Sequence, residues 1–172
     1  LMREPRVSGL GEMMDVPGVL AGDADTLAKI RLAAAQGKQV DGHSPGLTGR
    51  ELDVYAAAGV GTDHECTTPE EALERIRRGM YVILREGSAA RDLLRLLPAV
   101  DPMNARRCLF CTDDRQPVDI LERGHIDGHL RMAVAAGLDP VTAVRMATLN
   151  AAEWYGLRDK GGIAPGRRAD LA

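Results

Sequence analysis

Hydrophobic and polar positions along this chain switch repeatedly between short extended runs and helical spacing. An extended piece over residues 6–10 leads into Gly11 and Glu12. Residues 23–36 carry Leu27, Ile30, Arg31 and Ala34 at helical spacing, and Gly37 stands where a helix C-cap belongs. Gln39-Val40-Asp41 predicts a short strand, followed by Gly42-His43-Ser44-Pro45-Gly46. Thr48, with Glu51 three residues on, predicts a capping box for a helix that ends at Gly59. Val60-Gly61-Thr62 predicts the next strand, followed by Asp63-His64-Glu65. Thr68-Pro69-Glu70-Glu71 is a helix start, with a capping hydroxyl, a proline at the first position and acids in the first turn. Ala72, Leu73 and Ile76 share one side of that helix, which stops at Gly79.

Residues 81–84 predict a fourth strand, and Ser88 opens a helix reaching Leu97. Residues 107–111 predict a fifth strand, followed by Thr112-Asp113-Asp114. Two further helices are expected over residues 126–136 and 140–154. Five β-α units in series imply an α/β fold with a parallel sheet covered on both faces. That is either an open doubly wound sheet or part of an eight-stranded barrel. No glycine-rich dinucleotide fingerprint follows the first strand and no phosphate-binding loop motif occurs, which weakens the nucleotide-binding open-sheet alternatives.

In a parallel β/α architecture the residues that follow the strands gather on one face, where active sites of β/α barrels are built. Here they are Glu12, then His43, then His64 flanked by Asp63 and Glu65, then Arg85-Glu86-Gly87-Ser88, then Asp113 beside Asp114. Two imidazoles and several carboxylates on one face are what a divalent metal needs. Taken singly, a histidine after a strand is usually a hydrogen-bonded loop residue and an aspartate there is often a helix cap. His125 and His129 are four apart, but Gly124 and Gly128 lie among them, and they are expected to be structural rather than ligands. Met13, Met14 and Asp15 could line a pocket, although methionine is more often core filler.

Composition narrows the partners. The 172 residues suffice for one domain with a hydrophobic core. Only 3% are aromatic and the net charge is −3. Stacking platforms and a basic face for nucleic acid are therefore not expected. No apolar run is long enough to span a bilayer, and Arg3, Glu4 and Arg6 interrupt any apolar start. Three cysteines, Cys66, Cys108 and Cys111, do not suit a disulfide framework and fit a reducing, cytoplasmic setting. Cys108 and Cys111 form a lone C-x-x-C, which could be a redox pair or half a zinc site. With no second pair to complete four ligands, core packing is the preferred alternative. Zinc base deaminases of the cytidine type use H-x-E with P-C-x-x-C; His64-Glu65-Cys66 and Arg107 before Cys108 do not fit.

Taken together these stretches resemble a family. A histidine after one strand, a histidine after the next, none after the following one and then an aspartate resembles strands five to eight of the amidohydrolase superfamily barrel. Met146 through Ala152, followed by Gly162-Ile163-Ala164-Pro165-Gly166, resembles the stretch where such chains leave the barrel. Local stretches resemble the adenine deaminase family within it: Gly9-Leu10-Gly11-Glu12-Met13-Met14, Asp41-Gly42-His43-Ser44-Pro45-Gly46, Gly61-Thr62-Asp63-His64-Glu65, Phe110-Cys111-Thr112-Asp113-Asp114 and Gly124-His125-Ile126-Asp127. The resemblance implies the C-terminal part, about five βα units, of a TIM-like (β/α)8 barrel over residues 1–155. Residues 156–172 would begin the return to a small β-sandwich.

It further implies Glu12, His43, His64 and Asp113 as metal ligands, Glu12 standing where many superfamily members carry a carboxylated lysine. Asp113, Glu65 and His64 would be catalytic, Asp113 carrying the proton and Glu65 orienting water or a ring nitrogen. The implied cofactor is a divalent metal (manganese, iron or zinc), and the implied reaction is hydrolysis of adenine to hypoxanthine and ammonia. The partner would be a small-molecule purine, with a homo-oligomer open. The family's first strand carries His-x-His, which is absent from these 172 residues. Leu1 and the last residues also read as cut from a longer chain. The segment alone is therefore expected to be inactive, and the activity is expected of a longer parent. The alternatives are another cyclic amide or amidine hydrolase of the superfamily, or a non-catalytic barrel remnant serving as an interaction module.

Overall fold

Helix starts in this chain are set by short polar side chains that take up the N–H groups a first turn leaves free. In the computed structural model, which describes residues 1–171, Asp15 opens α1 (Val16–Ala21) by accepting from Gly18 N at 3.0 Å. Asp23 opens α2 (Ala24–Ala35) by accepting from Thr26 N at 2.8 Å. The Thr26 hydroxyl donates back to Asp15 at 2.6 Å, which ties the two starts together. Thr68 caps α4 (Pro69–Arg77), and Glu71 in turn accepts from Thr67 N at 2.7 Å.

The chain divides into two compact units, Leu1–Val82 and Ile83–Ala172. In the first, β1 (Gly9–Met13) pairs in parallel with β2 (Gln39–Gly42), Leu10 opposite Val40 and Met13 opposite Gly42. The register shifts between Leu10 and Met13, and that irregular stretch contains Glu12. Bulges of this kind re-aim side chains beside functional sites. After α3 (Gly49–Ala57) comes β3 (Thr62–Asp63), parallel to the start of β4 (Tyr81–Arg85). Met13, Val19, Ile30, Val40, Leu47, Leu52, Tyr55, Val60 and Met80 form one buried cluster under these elements.

In the second unit, β4 continues beside β5 (Cys108–Cys111), with Glu86 N donating to Cys111 O at 3.0 Å. The helices are α5 (Leu93–Leu96), α6 (Pro117–Arg123), α7 (Ile126–Ala135), α8 (Pro140–Ala147) and α9 (Leu149–Trp154). Leu93, Leu96, Leu109, Ala133, Ala143 and Met146 are buried. Asn150 Nδ2 donates to Ala105 O at 2.8 Å and to Cys108 O at 2.9 Å, holding α9 against the entry to β5. After Trp154 the described residues form turns and contain no strand. No helix of the described residues is long and apolar enough to cross a membrane.

Several boundaries differ from the sequence expectation. Thr48 makes no capping bond, so the expected box does not form. Gly49 enters α3 at φ 55°, and a first residue in the left-handed region turns the following N–H groups away from the preceding hydroxyl. Ser88 opens no helix. Its hydroxyl donates to Asp119 and accepts from Gln116 N at 2.8 Å, while its own N–H goes to Asp114 at 3.0 Å. With those bonds made across a loop, α5 begins only at Leu93, and Leu97–Ala99 continue as a single 3-10 turn through Pro98. The run over 140–154 is two helices, interrupted at Thr148, whose hydroxyl donates back to Val144 O at 2.7 Å. The first strand also starts later than residue 6, so Glu12 lies within β1 rather than after it.

Candidate metal centre

Three side chains from three successive elements converge in the first unit. Glu12 comes from the irregular end of β1, His43 from the residue after β2, and His64 from the residue after β3. One potential ligand atom from each lies within 4.8 Å of the others. His43 Nδ1 and His64 Nε2 face one another at 3.4 Å. The two Glu12 oxygens divide between them, Oε2 at 3.4 Å from His43 Nδ1 and Oε1 at 3.8 Å from His64 Nε2. Glu65 closes in from the same side, its Oε1 3.7 Å from His43 and 3.6 Å from His64. His64 is buried, His43 and Glu65 are half-buried, and Glu12 is exposed.

The donor set fits a divalent metal. Imidazole nitrogens and carboxylate oxygens bind such ions at roughly 2.0–2.2 Å, which sets neighbouring donors about 3.3–3.6 Å apart around a tetrahedral centre. The His43–His64 and His43–Glu12 separations of 3.4 Å fall in that interval. Two carboxylates would also offset the charge of the ion.

The backbone around these three candidate ligands is held by buried polar groups. Tyr55, buried on α3, donates its hydroxyl to Met13 O at 2.5 Å and accepts from His43 N at 3.1 Å. Burial raises its phenol to about 12, so the group is a firm donor. Asp63 Oδ1 accepts from Ser44 N at 3.2 Å and from Glu65 N at 3.1 Å. Its Oδ2 accepts from the Ser44 hydroxyl at 2.6 Å and from Arg75 Nε at 2.9 Å. Arg75 also donates to Ser44 O at 2.9 Å. The available signals were a tyrosine on a core-facing helical position, whose hydroxyl must find a partner, and a charged pair, Asp63 and Arg75, at positions patterned for burial.

Asp113 belongs to the second unit. It is the one non-glycine residue with positive φ among the described residues, at 49°, a conformation that aspartate tolerates and that often marks functional loops. Arg85 Nη1 lies 3.7 Å from its Oδ2 while Arg85 Nη2 donates to Asp92 at 3.2 Å. Next to it, Asp114 accepts from Ser88 N at 3.0 Å and Ala89 N at 2.8 Å, pinning the loop after β4. A Cβ on Gly87 would come within 1.6 Å of Asp114 Oδ1, so only glycine fits there. Burial raises the Glu86 carboxyl above its ordinary range, against the opposing pull of Arg91.

The other chemistry-bearing residues serve structure. His129 is buried, its ring nitrogens each 2.9 Å from a backbone carbonyl, those of His125 and Cys111. Cys108 is buried and Cys111 half-buried, and neither is in a disulfide. Met13 is core, Met14 is exposed, and Asp15 is the cap of α1.

A model of the amidohydrolase family matches residues 4–172. An adenine deaminase of Nitratidesulfovibrio vulgaris (strain DP4) is 71% identical over 171 residues, covering 99% of this chain and 30% of that protein. An adenine deaminase of Desulfatibacillum aliphaticivorans is 54% identical over 170 residues, with the same 99% and 30% coverage. The chain thus spans about 30% of the length of the curated relatives it matches. Among solved structures, a β-aspartyl dipeptidase of Fervidobacterium islandicum AW-1 superposes with a TM-score of 0.68 at 18% identity, covering 98% of this chain and 54% of that one. At that identity the likeness speaks for the fold alone. The family match runs through the strand ends that carry Glu12, His43, His64 and Asp113, and the chain belongs to the amidohydrolase family.

Proposed function

We propose that this chain forms part of an enzyme that hydrolyses adenine to hypoxanthine and ammonia, and that Glu12, His43 and His64 hold its divalent metal. The observation that carries the proposal is the convergence of those three side chains within 4.8 Å, in a segment 71% identical to an adenine deaminase. Manganese, iron and zinc all suit an imidazole and carboxylate set. On this reading the β-α units are the fourth to eighth strands of a (β/α)8 barrel, residues 156–172 lead toward a small β-sandwich, and the enzyme works in the cytoplasm, where its thiols stay reduced.

A divalent metal in such a site lowers the pKa of a water so that hydroxide is available near neutral pH. His43 and His64 present ring nitrogens, and Glu12 offers one oxygen toward each of them. Glu65 orients the attacking water or a ring nitrogen of the purine. Asp113, which the family resemblance also gives as a ligand, takes the proton of the attacking water and passes it to the departing amino nitrogen. Its backbone is left-handed, and the guanidinium of Arg85 lies 3.7 Å from its carboxylate.

The test is adenine turnover and metal content in a protein of the relatives' length that contains this segment. Asp113→Asn is expected to lower turnover by about 10²–10⁴-fold, and His43→Ala to lose the metal. Near-normal turnover in Asp113→Asn would remove Asp113 from the chemistry. A metal-loaded protein with no adenine turnover would redirect the search to other cyclic amidines and amides. The segment alone, which lacks His-x-His, is expected to be inactive.

A further inference from the structure

We infer that Tyr55 and Asp63 are positioning residues that hold the candidate ligands in metal-binding geometry before any ion arrives. The inference rests on the metal reading of Glu12, His43 and His64. Those ligands sit on three different segments, and nothing in a β-α unit by itself fixes the end of one strand against the end of the next. The ladder that would do so is incomplete here: β2 and β3 belong to different hydrogen-bonded sheets. Between them run Gly61 N to Val40 O at 3.0 Å and Gly42 N to the Thr62 hydroxyl at 3.1 Å.

Side chains supply further ties. The Tyr55 hydroxyl joins the Met13 carbonyl, one residue from Glu12, to the His43 amide. A single buried oxygen therefore fixes the first ligand segment against the second. The Asp63 carboxylate joins the Ser44 amide and hydroxyl, one residue from His43, to the Glu65 amide, one residue beyond His64. It fixes the second ligand segment against the third. Arg75 donates to Asp63 Oδ2 and, with its other arm, to Ser44 O. All three side chains are excluded from solvent. Their bonds are therefore strong and costly to rearrange. Partners behind the ligands commonly set affinity by orienting them, and their loss typically weakens metal binding about 10–100-fold.

The test uses cobalt(II) as the probe, titrated into a protein of the relatives' length that contains this segment while its visible absorption is followed. Tyr55→Phe keeps the ring and the core volume and removes only the hydroxyl. It is expected to bind cobalt about 10–100-fold more weakly and with a changed ligand-field spectrum. Ile30→Val thins the same core without touching a ligand segment, and it should bind with unaltered affinity and spectrum. Asp63→Asn is expected to move binding in the same direction as Tyr55→Phe. Because it leaves buried Arg75 without an anion it can fail to fold, and the decision then stands on Tyr55→Phe. Unaltered cobalt affinity and spectrum in folded Tyr55→Phe overturn the inference and leave the metal site standing. No cobalt binding by that unaltered longer protein overturns the metal reading and the inference with it.

Discussion

Arg75 Nε lies 2.9 Å from Asp63 Oδ2, with both side chains wholly buried. A pair of this kind is weak evidence of net stabilisation, because desolvating two charges offsets most of their attraction. Removing one partner is a different matter, since the other charge is left buried alone. Arg75→Leu is therefore expected to destabilise the fold by about 3–5 kcal/mol, read as a drop in the urea midpoint. A loss below about 1 kcal/mol, the range of exposed pairs, would mean that water reaches Asp63 readily once the arginine is gone.

Gly42 is where β2 meets β3 most closely. A Cβ there would lie 2.2 Å from Thr62 O, 2.8 Å from Val60 Cγ1 and 3.2 Å from the Tyr55 hydroxyl. Backbone cannot move aside as a side-chain tip can, so Gly42→Ala is expected to cost about 1–3 kcal/mol or more, as overpacking does. Gly11 gives the contrast: nothing lies within 4 Å of a Cβ built there. Gly11→Ala is expected to stay within about 0.5 kcal/mol of the unaltered chain, as surface changes usually do. Paired urea melts of the two variants decide the matter, and equal losses would place the strain elsewhere than the strand junction.

The thiols should divide by burial. Burial pushes the Cys66 thiol well up and raises Cys108 to about 12. Since the thiolate is the reactive form, neither should react in the folded chain with a disulfide reagent at mildly alkaline pH. Half-buried Cys111 is the one expected to react first. Mass spectrometry of the labelled chain locates the modified residue, and rapid modification of Cys66 would show that the first unit opens on the labelling timescale.

The order of strands along the chain, most helices and the convergence of Glu12, His43 and His64 are legible in the sequence because they depend on local pattern. Asp23 and Thr68 cap helices through bonds three residues away, and strand-end residues of parallel units fall on one face whatever the details of packing. What could not be read depends on partners far along the chain. Ser88 has the local look of a helix start, but Asp119 and Gln116, which occupy its hydroxyl, lie 31 and 28 residues on. Tyr55 and Arg75 carry no local signal of their bonds, because Met13, His43 and Ser44 are brought near them only by folding. The Thr48 box failed for a nearer reason, since a glycine after the cap left the right-handed region.

His129 sets up a dependence of stability on pH. Its two ring nitrogens each face a carbonyl at 2.9 Å, yet a neutral imidazole carries one N–H and can donate to only one of them. Protonation would satisfy both, but burial disfavours the charged ring more strongly. The pKa is lowered from 6.5, with Arg115 and His125 adding like-charge repulsion and the two carbonyls pulling the other way. A lowered folded-state pKa means that the unfolded chain binds the proton first as pH falls. The contribution of His129 to stability is therefore intact above 6.5, declines as pH drops below it, and levels off once pH is below the folded-state value. The slope from this one group cannot exceed about 1.4 kcal/mol per pH unit. Urea midpoints measured in steps from neutral to mildly acidic pH should fall in the unaltered chain and fall less steeply in His129→Gln. Parallel curves for the two would mean that the folded chain protonates His129 as easily as the unfolded one, so that the second carbonyl bond offsets the cost of burying the charge.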